Sequence, residues 1–422
     1  MTDDRLSFDD YEEVFTPGAP LELPTFFFGR QQELHDLHLA LTRRGLHPIV
    51  IGNRGVGKTS LVHQALAKID APSAVVTCNS TMSFDSFARR ALSLLGVSSD
   101  ATEVVTEAER SVTGKGTPFG LGAETTGTTK TSTTQQGIAS RTIDAWQFYE
   151  FLRDLKKKAI VVLDEYDVVK ASNIKFHREV AECIKTLADN SRSCDSRLVV
   201  VGVSQSAASL LGTHESIERS SREVYLRPLR REDMFDFIGH AEEELGFQFS
   251  PAVRQALVEN SGGYPYFVHL VGLECLDAMT NRDPGARVVE DIDFTNASRK
   301  AVQRAFRSEL RKYREAIKRL SRGEIEILEE LASVTRDRPV NRGWFLQHIV
   351  RLKDIPESLA NDSLIRLQQD ARLIYISRNK DELRFADPLM APFLRIAIVP
   401  KGTPASEGQL SLFGEDTEGT AS

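Results

Sequence analysis

Four short apolar runs punctuate the first half of the chain: HPIVIG at 47–52, SAVVTC at 73–78, AIVVLDE at 159–165 and RLVVVGVS at 197–204. Each is rich in β-branched residues and apolar at consecutive rather than alternate positions. That pattern predicts strands buried on both faces, as in the parallel sheet of an α/β domain. Stretches of helical period separate them. From Arg230 to about Val289 only the helical period remains, in REDMFDFIGHAEEELG, SPAVRQALVENSGG and YPYFVHLVGLECLDAMT. A helical unit therefore follows the sheet. A long basic helix is predicted over 295–320, and a small α+β unit over 321–400.

The pattern thus divides the chain into 1–25, 26–229, 230–294, 295–400 and 401–422. Residues 1–25 are acidic and include TPGAPLELP, whose three prolines predict an extended arm rather than a helix. Residues 105–142, rich in Thr and Gly, have no helical period. They read either as a surface insertion or as a threonine-rich hairpin that projects toward DNA or a neighbouring subunit.

Composition narrows the class. A chain of 422 residues at 41% hydrophobic is enough for two or three globular domains. No run approaches the length needed to span a bilayer, and the acidic N-terminus has no signal-peptide core. Cys78, Cys183, Cys194 and Cys275 are scattered without a C-x-x-C pair, which predicts reduced thiols and a cytoplasmic setting. The net charge of −7 limits any nucleic-acid contact to a local basic face.

The strongest chemistry lies after the first strand. Residues 52–59, GNRGVGKT, fit G-x-x-x-x-G-K-[ST] between an apolar strand and a helix. Gly52, Gly55 and Gly57 allow the loop Gly52–Ser60, with Asn53, Arg54, Val56 and Ser60 between and beside them, to turn successive N–H groups toward phosphate. Lys58 would reach the β- and γ-phosphates of ATP, and the Thr59 hydroxyl would bind Mg²⁺. The strand AIVVL ends in Asp164-Glu165, at the strand end where open α/β sheets bind ligands. Asp164 is placed to hold Mg²⁺ through water and Glu165 to activate the attacking water. After the next strand, Ser204 and Gln205 could bond the γ-phosphate. Arg219 or Arg222 could neutralise charge on a neighbouring subunit's nucleotide, in an ATP-dependent homo-oligomer.

Together FGRQQEL (28–34), VGKTSLV, VVLDEYD, VVVGVS, ESIERS and SGGYPYF resemble AAA+ ATPases. The likeness is to the archaeal and bacterial group related to the replication initiators, which overlaps the STAND signalling ATPases, and it covers about 26–400. The resemblance implies a P-loop AAA+ sheet with a helical lid. It implies that Phe28, Gly29 and Arg30 line the adenine side, with Pro265 on the lid side. It makes Ser204 the first sensor and Arg219 the better finger candidate. Many AAA+ lids carry a second sensor arginine where this chain has Gly262-Gly263-Tyr264-Pro265; the departure implies slow, switch-like turnover.

Residues 299–322 carry ten Lys or Arg against two Glu, with Ala301, Val302, Ala305, Phe306, Leu310, Tyr313 and Ile317 forming an apolar stripe. The charged face is either solvated or a surface for duplex DNA. Three helices and two strands over 321–385 describe a winged helix. Its candidate recognition helix carries Glu357, Asp362 and Asp370 against Arg366, and only its wing, with Arg378, Lys380 and Arg384, is basic. It suits protein docking as well as DNA.

The tail returns to apolar residues in QLSLF: Gln409, Leu410, Ser411, Leu412 and Phe413. The pentapeptide resembles the motif by which bacterial replication and repair proteins bind the DNA polymerase sliding clamp. A flexible tether over 400–408 suits a peptide offered to a partner, and packing on its own winged helix is the alternative. Two functions emerge: an ATP-dependent switch acting on DNA, held to the clamp by its tail, or a STAND-like signalling ATPase whose winged helix binds protein, for example in phage defence.

Overall fold

The apolar runs form strands where the pattern places them. In the computed structural model β1 is His47–Gly52, β2 Ser73–Thr77, β3 Ile160–Asp164, β4 Arg197–Gly202 and β5 Ser221–Leu226. The structure describes residues 8–97, 142–204, 207, 210, 219–307, 310–335, 339–377 and 381–398. Residues 105–141 of the insertion, Gln205, Arg378, Lys380 and the 409–413 pentapeptide lie outside the described residues.

The described chain forms two compact units, and one holds Gln32–Gly52 and Leu61–Tyr225. Its sheet has the order β2-β3-β4-β1-β5, and the β2/β3, β3/β4 and β1/β4 pairings are parallel. Every residue of β1, β3 and β4 is buried, which is why these strands read as unbroken apolar runs. The register pairs Thr77 with Asp164 and Ile51 with Gly202, so the carboxyl ends of β1, β3 and β4 share one edge. The helices Phe84–Leu94 and Ala145–Asp154 begin with capping boxes, Ser83 with Ser86 and Asp144 with Gln147. Each satisfies an amide that a helix start leaves without a partner. Their Phe84, Phe87 and Phe148 join Phe176 and the strand side chains in one core.

The second unit holds residues up to Gln31, Asn53–Ser60 and the chain from Leu226 onward. Helices Arg231–Leu245, Pro251–Ser261 and Pro265–Arg282 are joined by short turns, with a two-residue parallel pair, β6 (Gln248–Phe249) and β7 (Val288–Val289). The turns are closed by Gly246 and Gly262 in left-handed conformation.

The N-terminal segment departs from the expected extended arm. Phe8–Val14 is a helix, and only the proline-bearing part after it is irregular. The physical reason is tertiary: Tyr11, Val14 and Phe15 are buried, and the Phe15 ring fills the notch at Gly272, where a Cβ would lie 2.5 Å from it. Phe15 also meets Phe237 edge-on at 5.6 Å, and the Thr16 N–H donates to His269 Nδ1. Packing outweighs the weak propensity of a seven-residue segment.

The basic helix also differs from expectation. It is two helices, Asp291–Arg307 and Arg311–Lys318, with the Leu310 N–H donating to the Ala305 carbonyl. The break lets Leu310, Tyr313 and Ile317 stay buried along with Ala301 and Ala305. Beyond it come helices Arg322–Val334, Arg342–Lys353 and Glu357–Gln369 and the antiparallel strands β8 (Val340–Asn341), β9 (Ile374–Ile376) and β10 (Glu382–Phe385), ordered β8-β10-β9. Helix Met390–Ile398 closes the described chain.

Candidate nucleotide site

The loop after β1 obtains its shape from its glycines. Gly52, Gly55 and Gly57 have φ of 153°, 77° and 91°, a region that residues with a Cβ rarely occupy. Space is also limiting at Gly55, where a Cβ would come within 2.9 Å of the Leu389 side chain and 3.2 Å of Tyr266 Cβ. The helix Lys58–Leu66 starts directly from the loop, so its first amides have no partner in their own helix. Lys58 Nζ donates to the Asn53 carbonyl at 2.9 Å, which holds the ammonium over the curl. Arg54 is exposed, while Lys58, Thr59 and Ser60 are half-buried.

Other segments of the same unit brace this loop. The buried Arg30 guanidinium donates from Nη2 to the Val56 carbonyl at 3.0 Å and to the Arg227 carbonyl at 2.6 Å. These bonds tie the loop to the chain at Arg227. Asn53 Nδ2 donates to the Tyr264 hydroxyl, and the Tyr266 N–H to the Gly55 carbonyl. The Leu21 N–H donates to Ser60 Oγ. Gly29 sits at φ 67°, and a Cβ there would lie 2.5 Å from Asp233 Cγ, so only glycine lets the chain pass.

An apolar pocket opens beside the loop, lined among others by Phe26, Phe28, Val56, Met234, Phe237 and Pro265. Arg30, Gly57 and Ser60 also reach it. His269 shares the lining, and burial pushes its pKa down from 6.5 to about 4, so the ring is neutral. A flat aromatic base fits such a wall, beside a loop built to take phosphates. The sequence pattern marked Phe28, Arg30 and Pro265 but missed Leu21, Phe26 and His269, which are near them in the chain and carry no motif of their own.

In the sheet unit, Asp164 ends β3 and is buried; its Oδ1 accepts the N–H of Glu165 at 2.9 Å. Glu165 is exposed and held at φ 53°, ψ 38°, left-handed for a residue with a side chain. Tyr166–Val168 follows as a 3₁₀ turn, anchored by the buried Tyr166, whose hydroxyl meets His177 Nδ1 at 2.7 Å. Cys78, one residue past β2, feels burial first and then Asp164, Asp167 and Glu165; its thiol is pushed up to about 12 and stays neutral. Ser204 is half-buried two residues past β4. Arg222 pairs with Asp36 at 3.3 Å, whereas Arg219 is exposed with no acidic partner among the described residues.

These features agree with a sequence comparison. A model of the novel STAND NTPase 1 family (nSTAND1) matches residues 22–386. The chain belongs to that family. It is an ATPase with an α/β P-loop fold. The fold of this nSTAND1 member is similar to that of the Walker-type ATPase PABY2304 of Pyrococcus abyssi, at 18% identity, a TM-score of 0.54, and coverage of 90% of this chain and 99% of that one. The Orc1 protein of Aeropyrum pernix, solved in complex with DNA, aligns at 14% identity with a TM-score of 0.45, covering 92% of this chain and 96% of that one. Cdc6p of Pyrobaculum aerophilum aligns at 16% identity with a TM-score of 0.44, covering 92% and 97%. No curated protein matches the nSTAND1 sequence. Among its described residues no helix is long and apolar enough to cross a membrane.

Proposed function

We propose that the chain is a slowly turning ATP switch that binds ATP with Mg²⁺ through Gly52–Ser60. The observation that carries this is the glycine-curled loop with Lys58 folded over it, next to an apolar pocket. Lys58 contacts the β- and γ-phosphates, and Phe28, Gly29 and Pro265 flank the adenine. Among the described residues no group of three or more His, Cys, Asp or Glu forms a metal cage. The Thr59 hydroxyl and Asp164 carboxylate are hard oxygen donors of the kind Mg²⁺ takes alongside phosphates. Mg²⁺ when bound neutralises charge developing on the phosphates. Glu165 takes the proton of the attacking water, Ser204 orients the γ-phosphate, and Arg219 acts on the nucleotide of a second copy. With no sensor arginine at Gly262–Pro265, turnover is slow.

The output we assign to this switch is on DNA. Lys300, Arg304, Lys312 and Lys318 have carboxylate partners, but Arg299, Arg307, Arg311 and Arg319 are exposed without one among the described residues. That row, with Arg384 on β10, suits a phosphate backbone. The tail pentapeptide Gln409–Phe413 tethers the protein to the sliding clamp, on its resemblance to clamp-binding motifs. The order helix, strand, two helices, two strands over 322–385 supports reading this unit as a winged helix. The family match favours a second reading, a signalling switch whose winged helix binds protein.

Nucleotide binding and single-turnover hydrolysis test the core. Lys58→Ala should lose tight ATP binding, and Glu165→Gln should keep ATP while slowing cleavage roughly a hundredfold or more. Wild-type turnover in Glu165→Gln overturns the assignment of the base. Duplex DNA that stimulates assembly or hydrolysis, with salt-dependent binding lost on replacing Arg307 and Arg311, supports the first output. Indifference to DNA, with no binding of a 404–418 peptide to a bacterial clamp, supports the second.

A further inference from the structure

The turn after β3 carries a carboxylate to which the reading above gives no task. We propose that Asp167 is a positioning residue for hydrolysis, tying the turn that bears Glu165 to the segment that bears Ser204. The inference rests on the roles proposed for those two residues.

The ladder between β3 and β4 is last registered at Leu163 with Val200, and that between β1 and β4 at Ile51 with Gly202. Val203 is one residue past the last registered pair and is 40% exposed. Asp167 Oδ1 accepts the Val203 N–H at 2.7 Å. Gly202 makes the approach possible, because a Cβ there would lie 3.2 Å from the same oxygen and 2.9 Å from Leu210 Cδ1.

The other end of this tie is rigid. Tyr166, next to Asp167, is buried and bonded to His177 of the helix Ile174–Asp189. The Val168 N–H closes onto the Glu165 carbonyl, and the Glu165 N–H onto Asp164 Oδ1. The left-handed backbone at Glu165 is held between these bonds. One carboxylate therefore connects this turn to the residue that leads into Ser204. An exposed hydrogen bond adds little to stability. Its effect is on where Ser204 sits relative to Glu165, and small misplacements in such a pair are costly to rate.

Asp167→Ala, Asp167→Asn and the pairing of Asp167→Ala with Ser204→Ala test this by single-turnover hydrolysis, nucleotide Kd and Tm. Asp167→Ala should slow hydrolysis roughly tenfold or more while Kd and Tm stay at wild-type values. Asp167→Asn, which retains an acceptor oxygen, should recover part of that loss. On the Ser204→Ala background, Asp167→Ala should cost much less than on wild type, because its target is gone. Wild-type hydrolysis in Asp167→Ala, full additivity with Ser204→Ala, or a loss that follows Kd or Tm would each overturn the proposal. Glu165→Gln separates the two levels. If it hydrolyses ATP normally, the reading of the site has failed; if it is inactive while Asp167→Ala is normal, only the role of Asp167 has.

Discussion

At Glu165 the backbone stands at φ 53°, where a side chain costs on the order of 1 kcal/mol or more unless the surroundings compensate. Three short contacts do so: Asp164 Oδ1 on its own N–H, the Val168 N–H on its carbonyl, and the anchored Tyr166 beside it. The carboxylate stands exposed one residue past a strand whose residues are all buried. His269 shows the same economy in the other unit. Burial holds its pKa near 4, against an ordinary 6.5, and His47, buried at the start of β1 beside Arg197, is pushed down to about 3. Both are neutral in the fold, whereas the unfolded chain takes up protons below about 6.5. Their contribution to stability is therefore fully present above pH 6.5 and is lost as pH falls toward 4 and 3. The slope is about 1.4 kcal/mol per pH unit for each group. We predict a urea midpoint that drops between pH 7 and pH 5, and a shallower drop in His269→Gln; an equal drop in that variant would remove His269 from the account.

At the scale of the element, helix starts show what local chemistry supplies. The helix Arg322–Val334 is capped by Ser321, whose Oγ accepts the Glu324 N–H while Glu324 returns a bond to the Ser321 N–H. Glu324 also receives Arg366 Nε at 3.1 Å from helix Glu357–Gln369. Ser321→Ala should cost about 1 kcal/mol, and Glu324→Ala more, because it loses the cap and the interhelical pair together. Equal costs for the two variants, measured by chemical unfolding, would mean that the pair with Arg366 contributes nothing. The two helices that replace one long basic helix carry the opposite lesson. No Pro or Gly marks the break near Leu310 in the sequence, and it is the burial of Leu310, Tyr313 and Ile317 that accompanies it.

For the whole molecule, ligand binding is the most direct handle. A nucleotide that binds only the folded protein stabilises it by about 2.7 kcal/mol at a hundred times its Kd. Mg-ATP should therefore raise Tm in the wild type and in Glu165→Gln, with little or no rise in Lys58→Ala. A shift in Lys58→Ala as large as the wild type's would place the nucleotide elsewhere. The phosphate loop shares one compact unit with Tyr264, Tyr266 and Leu389, so within that unit a change in the loop is felt by the helix Pro265–Arg282 and by the start of the closing helix.

What the sequence determined by itself is what local physics writes in a few adjacent residues. Strands buried on both faces need unbroken apolar runs, so β1 was legible to the residue and β4 to within two residues at its end. A loop that turns at positive φ needs glycines, so Gly55 and Gly57 announced its curl. The tertiary structure alone decided what depends on partners distant in the chain. FDDYEEV is too short and acidic to be read as a helix, and it forms one because Tyr11 and Phe15 find a pocket some 250 residues away, where the Thr16 N–H meets His269 across a separation of 253 positions. Arg30 reaches the pocket beside the loop, but that its guanidinium also spans to a carbonyl 197 positions on was not legible in the sequence. Asp167 carried no signal beyond a second aspartate after Glu165, because a hydrogen bond to Val203 exists only once β3 and β4 lie side by side. Periodicity and backbone conformation are properties of neighbours in sequence; a hydrogen bond between strands is a property of neighbours in space, and only folding creates those.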